Sequence, residues 1–136
     1  MIVMRQNNAN DFIRKHVLDI GSFFFYKNFM VSEMNEGASL NYDKATKLFL
    51  LTKEYYGTNI PFVYITNRKN SYSFEPTTHF KSAKLFPNLK GYGVVTYNSI
   101  NNKIATLEQS FLNVPTRIFE NLDDAKLWAD KLMLHD

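Results

Sequence analysis

The chain contains no cysteine, which removes disulfides, thiolate nucleophiles and cysteine-ligated zinc from its chemistry. It also lacks a long apolar run: nothing approaches the ~20 residues that span a bilayer, and Met1–Asn10 has no apolar stretch of the kind a secretory signal needs. No phosphate-binding P-loop and no nucleophile elbow is present. Gly91-Tyr92-Gly93 lacks the third glycine of a dinucleotide fingerprint, and it precedes a predicted strand where that motif follows one. It reads as the beginning of that strand. His16, His79 and His135 stand apart, with no pair at metal-ligand spacing. Glu33 and Glu36, three apart on a predicted strand, point to opposite faces and form no acid–base pair. Asp123 and Asp124 are accounted for as helix-start residues. These absences lead to the expectation of a soluble, cytoplasmic, non-enzymatic protein with no cofactor and no metal.

What is present suits one domain. A chain of 136 residues can bury a core without staples. With 45% hydrophobic and 21% charged residues it is neither disordered nor a coiled coil. The net charge of +3 comes from 16 Lys and Arg against 13 Asp and Glu. The basic pairs Arg14-Lys15 and Arg68-Lys69 do not extend into a basic arm and the last helix is acidic, so nucleic acid is not an expected partner.

Residues 1–11 read as a polar, Asn-rich tail and residues 12–136 as a single domain. Two extended runs between Phe12 and Phe25 flank the turn Asp19-Ile20-Gly21-Ser22, with Val17, Phe23 and Phe25 as inward candidates. A turn at Tyr26–Phe29 leads into a third strand, Phe29–Asn35, and the three make an antiparallel meander. A first helix is capped by Asn41 or Asp43, carries Ala45, Leu48, Phe49, Thr52 and Tyr56 at helical spacing, and stops at Gly57. Leu50 and Leu51 widen its apolar face.

Phe62–Thr66 shows no alternation, as a strand covered on both faces should not. A second helix is predicted to start between Ser73 and Pro76, to bury Phe80, Ala83 and either Leu85 or Phe86, and to close at Pro87-Asn88. Tyr92–Tyr97 reads as the next strand. Ser99 caps a third helix bearing Ile100, Ile104, Leu107 and Phe111. Pro115–Phe119 is a short last strand, and Asn121–Asp124 opens a fourth helix whose stripe is Leu122, Ala125, Trp128, Ala129 and Leu132. Single strands separated by helices pair in parallel through right-handed crossovers. The predicted fold is therefore α/β: a mixed sheet with an antiparallel N-terminal meander followed by βαβαβα units, with about four helices.

Three local patterns accompany this order: Ser32-Glu33-Met34-Asn35-Glu36-Gly37, Thr66-Asn67-Arg68-Lys69-Asn70-Ser71-Tyr72-Ser73, and Arg117–Ala125 followed by Trp128. Together they resemble small bacterial proteins of the STAS-like class, related to anti-sigma-factor antagonists and compared in fold with CRAL-TRIO lipid-transfer domains. The resemblance covers roughly Phe12 to Leu134. It implies a regulatory or scaffolding module acting through protein contacts. In anti-sigma antagonists the loop after the central strand carries a phosphorylatable Ser or Thr in an Asp-Ser-Ser-Gly-like setting. Here the corresponding hydroxyls are Ser71 and Ser73, in a loop without Asp or Gly.

That loop is the candidate contact or switch site: Asn67, Arg68, Asn70, Ser71, Tyr72 and Ser73 are placed beyond the carboxyl end of a central strand and beside a helix start. Phosphate on Ser71 or Ser73 would add about −1.5 to −2 charges beside Arg68 and Lys69. Ordinary structural roles account for the same residues: Ser73 as a helix cap, Asn67 and Asn70 in turns, Tyr72 packed and Arg68 solvated. Two functions stay open, a module binding an unidentified protein partner and a domain binding a small ligand or lipid. The aromatic run Phe23, Phe24, Phe25, Tyr26 and Phe29 is either core or an exposed patch that a homodimer would bury.

Overall fold

The computed structural model describes residues 12–70, 72–75, 78–97 and 113–134. The meander forms as expected from β1 (Phe12–Leu18), β2 (Gly21–Tyr26) and β3 (Phe29–Met34), each antiparallel to the next. From β3 the sheet turns parallel and continues through β5 (Phe62–Arg68), β7 (Leu89–Thr96) and β8 (Thr116–Phe119). The order across this six-stranded sheet is β1-β2-β3-β5-β7-β8. Two two-residue strands, β4 (Ser39–Leu40) and β6 (Ser73–Phe74), pair separately in parallel. They are too short to carry a periodic signal in the sequence.

Three helices lie among the described residues: α1 (Thr46–Tyr56), α2 (Thr78–Leu85) and α3 (Leu122–Leu134). The expected helix bearing Ile100 to Phe111 falls outside the described residues. α1 is preceded by a turn in which the Asn41 side chain accepts from the Lys44 amide at 3.0 Å, and it ends at Gly57, whose φ of 56° opposes an L side chain. α3 begins as predicted, with Asn121 Oδ1 accepting from the Asp124 amide at 2.8 Å. α2 starts later than expected. The chain first spends Ser73 and Phe74 in β6, where the Ser73 amide donates to the Ala38 carbonyl at 2.8 Å, so Ser73 does not cap the helix.

The alternation of β-side chains sorts the core into two layers. Phe23, Phe25, Met30 and Phe62 face α1 and α2 and pack with Leu48, Tyr56 and Phe86. Val31, Val63, Ile65, Val95 and Phe119 face α3 and pack with Ala125 and Ala129. Each fully buried apolar side chain of this size contributes about 1.5–3 kcal/mol from leaving water. The ring of Tyr56 lies flat on Phe62, centroids 4.3 Å apart and planes 4° off parallel. Gly91, on the α3 side of the sheet, leaves room for α3: a Cβ there would stand 2.6 Å from Leu132 Cδ2 and 3.0 Å from Trp128 Cη2.

Two expected inward residues turn out. Val17 is 71% exposed and Leu50 is 63% exposed, because β1 is an edge strand and Leu50 lies away from the buried stripe Leu48, Thr52 and Tyr56 and from Phe49, Leu51 and Tyr55, which pack beside it. The aromatic run is core: Phe23, Phe25 and Phe29 are buried, and Tyr26 stacks on Phe29 with centroids 4.4 Å apart. It forms no exposed patch. Among the described residues no helix is long and apolar enough to cross a membrane.

Candidate functional site

β5 runs two residues further than its apolar stretch predicts, through Asn67 and Arg68, and both are buried. Parallel pairing with β7 continues to Arg68 opposite Thr96 and supplies the backbone bonds that keep the strand going. Successive residues of a strand point to opposite faces, so the residues read as one loop cluster are divided by the sheet.

On the face that carries α1 and α2, Arg68 Nη2 donates to the phenol oxygen of Tyr92 at 3.1 Å. The guanidinium carbon lies 5.6 Å from the centroid of Tyr72, within cation–π range. Tyr72 Oη and Thr66 Oγ1 are 3.2 Å apart, and Tyr64 Oη donates to Ser32 Oγ at 2.8 Å. Arg68 is only 4% exposed, so it is not the solvated cation that a loop position implies. On the opposite face Asn67 Nδ2 donates to Glu33 Oε2 at 2.9 Å and Tyr97 Oη donates to Asn67 Oδ1 at 2.7 Å. Lys69 Nζ reaches Glu33 Oε1 at 3.4 Å.

Asn70 ties the end of β5 to β3, its Nδ2 donating to the Met34 carbonyl at 3.0 Å. The Ser73 side chain is exposed while its backbone is held by β4. Ser71 lies outside the described residues. Of the six predicted site residues, Arg68 and Tyr72 meet on one face, Asn67 lies on the other, and Asn70 and Ser73 anchor the chain between strands.

The sequence reading missed Tyr64, Tyr92 and Ser32, which complete the polar edge, and set Glu33 aside. The available signal was a tyrosine within each of two largely apolar stretches, Phe62–Ile65 and Tyr92–Val95. Tyr64 and Tyr92 stand opposite each other in the β5–β7 register, and a buried phenol needs a partner for its hydroxyl.

Just inside this edge lies a cavity of about 80 Å³ between the sheet and the two helices, its wall including Met30, Phe49, Phe62, Tyr64, Thr78 and Tyr92. Tyr64 and Tyr92 belong to both features. Ala83 lines the cavity yet is exposed, so the cavity opens to solvent beside α2. The described wall contains no charged side chain, and among the described residues no three His, Asp or Glu side chains gather as metal ligands. The arrangement can hold an apolar group and offer it a few oriented polar atoms.

Comparison of the chain with protein-family models, with curated proteins and with solved structures finds no match to any of them.

Proposed function

We propose that the chain is a non-enzymatic binding domain that takes a small, largely apolar ligand between the sheet and the helices α1 and α2. The observation that carries this reading is the apolar cavity itself, walled on the sheet side by Met30, Phe62, Tyr64, Leu89 and Tyr92 from the first halves of three parallel strands. Small-ligand sites are concave, mostly apolar and furnished with a few placed polar groups. An engineered apolar cavity of about 150 Å³ in another protein takes benzene. A cavity of about 80 Å³ therefore suits the apolar end of a ligand, with the remainder leaving past Ala83.

Native mass spectrometry of the purified protein tests for a retained molecule, and ¹⁹F NMR tests saturable binding of fluorobenzene. Ala83→Leu, at an exposed helical position, should block the mouth without unfolding the chain and abolish both signals. Absence of any bound molecule together with no saturable fluorobenzene binding by wild type removes the reading.

A second reading, the switchable protein-contact module implied by the STAS-like resemblance, is favoured by one observation. The Ser73 side chain is exposed on a backbone pinned to β4, with the exposed Lys69 in the same connection. Phosphate there would place about −1.5 to −2 charges four residues after a lysine in the sequence. Phosphopeptide mapping that finds Ser73 unmodified in every growth state would count against the switch.

A further inference from the structure

We infer that the ligand of this cavity carries a neutral hydrogen-bonding group, a hydroxyl or a carbonyl, that meets Thr78 Oγ1. The buried end of the ligand is thus a small phenol-, alcohol- or ketone-like group and neither a pure hydrocarbon nor an ion. The inference rests on the cavity being a binding site, and adds which chemistry enters it.

Thr78 is the first residue of α2, lines the cavity and is 3% exposed. Among the described residues lining the cavity it alone has a buried side-chain oxygen with no hydrogen-bond partner. Its backbone amide donates to the Glu75 carbonyl at 3.0 Å, and its hydroxyl, which has no partner at all, accepts from none of the helix amides it could cap. The neighbouring hydroxyls are engaged. Thr52 Oγ1 donates to the Leu48 carbonyl at 2.8 Å, Tyr64 Oη donates to Ser32, and Tyr92 Oη accepts from Arg68.

A buried hydroxyl left unpaired is costly, and a ligand that pairs with it recovers that cost on binding. Water is a poor substitute, because a buried water is held by about three hydrogen bonds and this wall is predominantly apolar. An ionised group is excluded by the same wall, since a charge taken into an apolar site with no counter-charge bears a large desolvation penalty. A hydroxyl both donates and accepts, so either a carbonyl or a hydroxyl on the ligand satisfies it.

The test is a ¹⁹F NMR titration of wild type and Thr78→Val with two probes of nearly equal shape, 4-fluorophenol and fluorobenzene. Thr78→Val should weaken 4-fluorophenol by roughly threefold to tenfold, the equivalent of one hydrogen bond, and leave fluorobenzene unchanged. Thr78→Ser, which keeps the hydroxyl, should keep the preference for the phenol. Thermal unfolding adds a readout that needs no ligand: removing an unpaired hydroxyl in Thr78→Val should leave the melting temperature unchanged or raise it. Equal weakening of both probes, or of neither, overturns the inference while the cavity stays a binding site. Failure of wild type to bind either probe overturns the cavity reading and the inference with it.

Discussion

Tyr92 presents its ring to the cavity and its phenol oxygen to Arg68, whose Nη2 donates to it at 3.1 Å. One side chain thereby joins the polar edge of the sheet to the apolar space behind it. Tyr92→Phe keeps the ring and takes an acceptor from a buried guanidinium. The expected cost is about 1–3 kcal/mol, because hydrogen bonds to charged groups are the stronger ones. Tyr64→Phe, which removes a bond between two neutral hydroxyls, should cost only about 0.5–1.5 kcal/mol. Urea unfolding of the two variants measures the difference, and equal costs would mean that the Arg68 contact adds nothing.

Alkaline stability should depend on Tyr56. Its hydroxyl donates to the carbonyls of Tyr26 and Phe29 at 2.6 and 2.8 Å, and burial pushes the phenol well above its ordinary value of about 10. Below that value both folded and unfolded chains keep the proton, and the contribution is fully present. Above it the unfolded chain ionises first, so stability falls as pH rises. Between pH 10 and 11 the wild type should lose about 1 kcal/mol more than Tyr56→Phe. Urea midpoints at the two pH values would show it, and parallel losses would contradict it.

The two glycines of β7 should respond differently to alanine. At Gly91 the new methyl would collide with Leu132 and Trp128 of α3, whereas at Gly93 the nearest atom, Trp128 Cζ3, stands 3.4 Å away in ordinary contact. Gly91→Ala should cost about 1–3 kcal/mol through overpacking. Gly93→Ala should change stability by less than about 1 kcal/mol, the closer contact being offset by better strand propensity. Thermal denaturation of both variants distinguishes them.

Neighbours in sequence should also part company at Asn67 and Lys69. Asn67 is buried between Glu33 and Tyr97, so Asn67→Ala removes two hydrogen bonds at once and should cost about 1–3 kcal/mol. The Lys69 side chain is 53% exposed in its pair with Glu33, and Lys69→Ala should change stability by no more than about 0.5 kcal/mol. Chemical denaturation reads both.

The layering was legible because it follows from short-range patterns. The unbroken apolar run at Phe62–Ile65 marks a strand covered on both faces, and Asn121 followed by Asp123 and Asp124 marks a helix start. What was not legible depends on pairing across the sheet. β5 continues through Asn67 and Arg68 because β7 runs beside it to Thr96, and nothing local in Thr66–Lys69 announces that. The position of Ser73 likewise depends on Ala38, a partner 35 residues earlier in the chain. The site residues were therefore found as a segment of sequence, while their division between two faces, and the role of Tyr64 and Tyr92, required the register.

Apart from the small β4–β6 pair, the strands lie across the sheet in the order in which they are synthesised. Each can therefore dock on an edge already made as the chain emerges. The helices α1 and α2 arrive between strands and cover their side of the sheet as it widens. The other side waits: Val31, Val63, Ile65 and Val95 gain their α3 cover only after the last strand has been added. A chain that ends before Leu122 would thus leave Val31, Val63, Ile65 and Val95 without their α3 cover, exposed apolar surface of the kind that draws chaperones.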